Sequence, residues 1–283
     1  MILKIVGLTV ILLLIISRIF LHLISKNPHH KNKNTPESIG LSYKDLSIPT
    51  ENNKNLHAWY IENINPAPAM VLIMHGWGRN GERMLDCANE LYQEGYDILL
   101  PDARNHGDSD KDFYSSIKQF RDDILKSVDY AGSKLLKDKQ KLFILGHSIG
   151  GAASILAAGK SDKVSALVTS GAFSDPETMI KFSLGQFNVP YFPIIYVLLK
   201  YIQYRLKTKF EFIRPEAVIS QVNIPCLLVH GSKDSVVPVS EFKRLKNACP
   251  KCNTLLIDSA GHSNLRKYPE FFPGIKSFFR NNC

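Results

Sequence analysis

Gly146-His147-Ser148-Ile149-Gly150 stands between an apolar run, KLFIL at 141–145, and a small-residue stretch, GGAASILAAG at 150–159. A serine flanked by glycines at a strand-to-helix turn is held in a strained conformation that lifts its hydroxyl clear of the backbone. It also lies near a helix N-terminus, where developing negative charge is favoured. A hydroxyl attacks a carbonyl only once a base takes its proton, and the base must itself be oriented. Of nine histidines, His262 directly follows the apolar run NTLLIDS (253–259), while Asp234 follows PCLLVHG (225–231) in the same manner. Asp175, after SALVTS (165–170), and Asp258, within NTLLIDS, are rival acids. Asp258 lies inside a strand and should point elsewhere, so Asp234 is favoured. The intermediate's oxyanion needs two donors already in place. The backbone N–H groups of Trp77, in His75-Gly76-Trp77-Gly78, and of Ile149 are the expected pair. This set predicts attack of Ser148 on a carboxylic ester through an acyl-enzyme. Thioesters, amides and peptides remain open as the same chemistry with another leaving group.

These residues need a scaffold that brings strand ends together. Apolar runs at 70–75, 96–102, 141–147, 165–170, 225–231 and 253–259 fit strands buried on both faces of a mainly parallel sheet. Residues 43–48 and 56–63 look like an opening antiparallel pair. Helical patterns lie between them at 82–94, 116–131, 149–159, 239–248 and 267–280. In 116–131, Ile117, Phe120, Ile124 and Val128 recur at three- and four-residue steps. The alternation predicts a doubly wound α/β fold with ligands at the carboxyl ends of its strands. Residues 176–222, long and aromatic, break the rhythm and read as a helical lid inserted over that edge.

Five blocks in order now carry a resemblance: HGWG at 75–78, PDARNHGDSD at 101–110, GHSIGG at 146–151, HGSKDSVVP at 230–238 and GH at 261–262. The chain resembles the α/β-hydrolase superfamily over about residues 40–283. Within it the sequence is most similar to the membrane-anchored Bem46-like and monoacylglycerol-lipase-like serine hydrolases. The resemblance implies the triad order Ser148, Asp234, His262. It also implies that Asp102, Arg104, His106, Gly107 and Ser109 support the loops rather than react, and that His147 is packing. One departure stands out: esterases of the HGGG type carry glycine where this chain has Trp77, whose ring should narrow the acyl side. An aspartate nucleophile, as in haloalkane dehalogenases or epoxide hydrolases, is excluded by Ser148. A non-catalytic scaffold is a weaker alternative, since all three triad residues are present.

The first 34 residues hold Lys4, Arg18, Lys26, Lys31 and Lys33 and no acid, leaving 30 basic against 26 acidic residues in the body. The body therefore lacks the basic bias of a nucleic-acid binder. Ile5–Ile24 is almost continuously apolar, long enough for a bilayer core. The expectation is a membrane anchor at 1–25, with a cleaved signal peptide or a buried core helix as the lesser readings, a polar linker at 26–40 and the hydrolase domain at 41–283. Cations cluster after the apolar run, which places the body on the cytoplasmic side. The partners expected are this membrane and an apolar acyl ester. Five cysteines with no regular spacing favour free thiols, a local Cys249–Cys252 disulfide being the next reading. Cys249-Pro250-Lys251-Cys252 has neither a second pair nor nearby histidines, so no zinc site or other cofactor is expected.

Overall fold

Strands whose side chains are apolar on both faces can be satisfied only between two layers of helices. In β3 (Ala69–Met74), Met70, Leu72 and Met74 belong to one core and Val71 and Ile73 to the other. That is the period-two alternation of a strand buried on both sides. The computed structural model describes residues 29–65 and 68–283, with isolated positions 7, 8 and 15. Eight strands form one sheet in the order β1-β2-β4-β3-β5-β6-β7-β8. They are β1 (Lys44–Thr50), β2 (Lys54–Ile61), β3, β4 (Asp97–Pro101), β5 (Lys141–His147), β6 (Val164–Ser170), β7 (Cys226–Gly231) and β8 (Asn253–Ile257). β1 pairs antiparallel with β2 and β2 antiparallel with β4; the remaining pairs are parallel. This is the mainly parallel α/β sheet that the alternation predicts, in the arrangement that the resemblance to α/β hydrolases implies.

Helices α1 (Leu85–Gln93) and α8 (Phe271–Arg280) supply one core, through Leu85, Ala88, Leu91, Ile275 and Phe279. Helices α2 (Ile117–Tyr130), α3 (Ile149–Ala158) and α7 (Val239–Ala248) supply the other. Ser116 caps α2 by accepting the Gln119 N–H. The last helix starts four residues later than the pattern suggests. Pro269 follows Tyr268, and the residue before a proline is pushed out of the helical region, so only a short 3-10 turn forms at Leu265–Lys267.

Between β6 and β7 the 176–222 segment forms α4 (Pro176–Gly185), α5 (Tyr196–Leu206) and α6 (Pro215–Ile219). It leaves β6 at its carboxyl end. Ile195, Leu199, Leu206 and Phe210 join the core. Among the described residues no helix is long and apolar enough to cross a membrane. The span expected at 1–25 lies outside the described residues, apart from the three isolated positions. The expectation of free thiols at 249 and 252 is corrected: Cys249 and Cys252 form a disulfide. A turn in which the Cys252 N–H donates to the Cys249 carbonyl at 3.0 Å brings their Cα atoms to 5.4 Å, within bridging range. Cys87 and Cys226 are buried free thiols.

Phe279 is fully buried and stacks on Phe143 of β5 at 5.0 Å between ring centroids. Phe279→Ala should lower the unfolding free energy by about 3–5 kcal/mol. Urea denaturation followed by circular dichroism checks it.

Candidate active site

β5 ends at His147, α3 begins at Ile149, and Ser148 alone makes the turn. Its backbone sits at φ 57°, ψ −124°, a positive-φ conformation that an L residue adopts only under constraint. The constraint is the close approach of α3 to β3 and β5. A Cβ on Gly146 would lie 2.6 Å from the Gly150 carbonyl oxygen, and one on Gly150 would collide with the His75 carbonyl. The Ser148 N–H donates to the Ser170 carbonyl at 2.8 Å, fastening the turn to β6.

Three sequence-predicted residues meet here. His262 Nε2 lies 3.0 Å from Ser148 Oγ, and His262 Nδ1 lies 2.7 Å from Asp234 Oδ2. A carboxylate can only accept, so Nδ1 carries the proton and Nε2 is left to accept from the serine. Asp234 is buried at the end of β7, and its Oδ1 accepts the N–H groups of Val236 at 2.9 Å and Val237 at 2.8 Å. Burial alone would raise its pKa, but the bonds from His262 and from the Val237 N–H hold the carboxyl below its ordinary value. Gly171, at φ +62°, makes room for the imidazole; a Cβ there would stand 3.2 Å from the ring.

The rival acids go elsewhere. Asp175 caps α4 through the Glu177 N–H at 2.9 Å and pairs with Arg214 at 3.2 Å. Asp258 is exposed and accepts from Ser232.

His75 does more than end a strand. The Ala103 N–H donates to its Nε2 at 3.0 Å, so Nδ1 must carry the ring proton and donates to the Gly76 carbonyl at 2.8 Å. Its burial holds its pKa below the ordinary value, keeping the ring neutral. The peptide that presents the Trp77 N–H is thereby fixed from below. The sequence points to His75-Gly76-Trp77-Gly78 as the loop carrying an oxyanion donor, but it does not show that the His75 ring staples that loop. His147 lies against His262 at 5.0 Å between ring centroids, and burial followed by the nearness of His262 pushes its pKa down to about 3.

Asp102 organises the neighbouring loop. Its Oδ1 accepts the Gly81 N–H at 2.6 Å, while Oδ2 accepts from Asn32 Nδ2, the Asp108 N–H and His57 Nδ1. His57, Asp102 and Asp108 could geometrically hold a cation, with ligand atoms within 4.8 Å of one another. The direct hydrogen bonds already occupy the Asp102 lone pairs that a metal would need.

Comparison with known proteins now adds a decisive match. Residues 65–218, just over half of the chain, match the family described as serine aminopeptidase, S33. The chain belongs to this family of α/β hydrolases. The hydrolase is 25% identical over 227 residues to an uncharacterized membrane protein of Saccharomyces cerevisiae, covering 79% of this chain and 74% of that one. It is 26% identical over 245 residues to lipase 1 of Psychrobacter immobilis, covering 72% and 74%. Among solved structures, an esterase of Pyrococcus furiosus superposes with a TM-score of 0.73 at 20% identity, over 90% of this chain and 98% of that one.

His57 generates a pH prediction. Burial would lower its pKa, but hydrogen bonds to Asp102 and Asp45 outweigh that and raise it to about 9. A folded-state pKa above the unfolded value near 6.5 gives stability that is fully present below pH 6.5. It is lost as pH rises to 9, by at most about 1.4 kcal/mol per pH unit. Denaturation midpoints should fall across that window in the parent and stay flatter in His57→Gln.

Proposed function

We propose that this hydrolase cleaves carboxylic esters with apolar acyl groups through an acyl-enzyme on Ser148. The observation that carries the reading is the continuous line Ser148 Oγ, His262, Asp234, at 3.0 and 2.7 Å. His262 takes the hydroxyl proton as Ser148 attacks the carbonyl carbon. Asp234 holds the imidazole in the needed tautomer and stabilises the imidazolium that forms. The N–H groups of Trp77 and Ile149 receive the negative charge on the carbonyl oxygen. His262 then protonates the departing alcohol, and water repeats the sequence to release the acid.

The name of the matched family favours a second reading, cleavage of an N-terminal peptide bond. An aminopeptidase must hold a substrate ammonium, for which a carboxylate is the natural partner. Lys181–Lys209, in the insertion above the carboxyl edge, contains no acidic residue. Apolar acyl esters fit that composition better, and the lipase among the relatives is consistent with it. The membrane protein among the relatives supports attachment through the 5–24 segment, so the substrate class proposed is acylglycerol-like or lysophospholipid-like.

Ser148→Ala should lower ester kcat by about 10³-fold or more with an unchanged circular dichroism spectrum. Asp234→Asn should cost roughly 10⁴-fold, by analogy with other triads, and Asp175→Asn only a small factor. The reverse ranking would move the orienting acid. On acetyl, butyryl, hexanoyl and octanoyl esters, each buried methylene contributes about 0.8 kcal/mol. kcat/KM should therefore rise severalfold per two carbons until the pocket is full. A monotonic fall from acetyl onward would leave a small-acyl esterase, and turnover of aminoacyl amides in preference to every ester would establish the peptidase reading.

A further inference from the structure

From Lys181 to Lys209 the chain carries five cations, Lys181, Lys200, Arg205, Lys207 and Lys209, and no carboxylate, the flanking Glu177 and Glu211 pairing with the two end lysines. The same stretch exposes Phe187, Tyr191, Phe192, Ile194, Tyr196 and Val197, with Phe187 78% and Phe192 74% accessible. Single exposed apolar side chains are ordinary on a protein surface; a run of six is not. The charges are interleaved with the rings rather than segregated from them. Lys181 Nζ lies 5.2 Å from the Tyr191 ring centre and Lys200 Nζ 5.6 Å from that of Tyr196. Helix α5 already buries Leu198, Leu199 and Leu206 on its inner side, so this outer face is not waiting for its own core. At its C-terminal end, Tyr204, Lys207, Lys209 and Phe212 border an open hollow of about 450 Å³.

A second observation gives the face its orientation. The chain arriving from the N-terminus is strapped to the body at the carboxyl edge of the sheet. His29 Nδ1 donates to the Asn105 carbonyl at 3.1 Å, Asn32 donates to Asp102 and Asp108, and the Lys33 N–H and Asn34 donate to Glu82. Those acceptors follow β3 and β4. Asn105 in turn donates to the Tyr114 carbonyl at 2.9 Å, and the Arg205 guanidinium lies 5.9 Å from the Tyr114 ring centre. The strap and the aromatic, basic face are therefore neighbours across one loop, and the sequence just upstream of the strap is the apolar run 5–24.

We propose that the face built by residues 181–212 docks on the surface of an anionic lipid bilayer, the membrane that the 5–24 segment would enter. Aromatic rings settle at the headgroup level, where Tyr and Trp side chains are favoured. Lys200, Arg205 and Lys207 meet lipid phosphates there, while Lys181 and Lys209 are partly neutralised by Glu177 and Glu211; the attraction falls off within a Debye length, about 8 Å at physiological ionic strength. The inference rests on surface composition and on the strap, not on the ester reading, and stands or falls separately from it.

The test uses the full chain carrying Phe192→Trp, reconstituted into vesicles of phosphatidylcholine alone or of equal parts phosphatidylcholine and phosphatidylglycerol, each with acyl-brominated lipid. The parent, with Trp59 and Trp77, supplies the background. The added tryptophan should be strongly quenched in the anionic vesicles. The quenching should drop by at least half in phosphatidylcholine alone, in high salt, and in a Lys200→Glu, Lys207→Glu, Lys209→Glu variant whose melting matches the parent's. If that variant fails to fold, the salt and lipid arms read the same quantity. Equal quenching in both vesicles would overturn the anionic surface, and no quenching in either would overturn membrane docking. A tryptophan already shielded in detergent would also overturn it. A second copy would then cover the face if shielding rose with protein concentration, and residues 1–28 would if it did not.

Discussion

Ser148 is held at a positive φ by the crowding of α3 against β3 and β5, and the other parts of the site depend on that one turn. Relaxing it would require helix and strand to separate, and the glycines at 146 and 150 exist where no Cβ could be accommodated. Strain of this kind persists only when the surroundings over-determine it. Here the surroundings are a sheet buried on both faces, with the Ser148 N–H tied to β6 and the Gly76 loop tied by His75. Ser148, Asp234 and His262 each follow the carboxyl end of a different strand, β5, β7 and β8. The sheet register therefore decides whether a 3.0 Å contact between Ser148 and His262 exists.

Much of this was legible in the order of residues. The six strands β3 to β8 read as apolar runs because parallel strands in the body of the sheet leave little polar alternation to confuse the pattern, while β1 and β2 read as an opening antiparallel pair. Ser148 was identifiable from its glycines, and Asp234 and His262 from their positions just past strand ends. The Cys249–Cys252 bridge was ranked second because spacing alone does not tell a three-residue disulfide loop from a free pair; the backbone turn decides it. The loop at 75–78 is legible as an oxyanion-donor loop, but the staple made by His75 is not, since its meaning lies in which backbone groups its two nitrogens reach.

The stretch read as a polar linker shows a different limit. Its asparagines and histidines carry no periodicity, yet His29, Asn32 and Asn34 each find a partner on the loops after β3 and β4. Asp102 is where these interests meet. It receives the strap through Asn32, the first strands through His57 and the α1 approach through the Gly81 N–H. A loop that supports the site is thus also the landing point of the N-terminal segment, which ties the body's orientation to the chain that leads into it.

The central claim is that Ser148 is a nucleophile activated by His262. A fluorophosphonate, which phosphonylates only a serine with an adjacent base, reads this without any assumption about substrate. Peptide mass spectrometry after labelling should find a single adduct, on Ser148, and His262→Ala should abolish it. A protein that stays unlabelled while folded, or an adduct on another residue, would contradict the account.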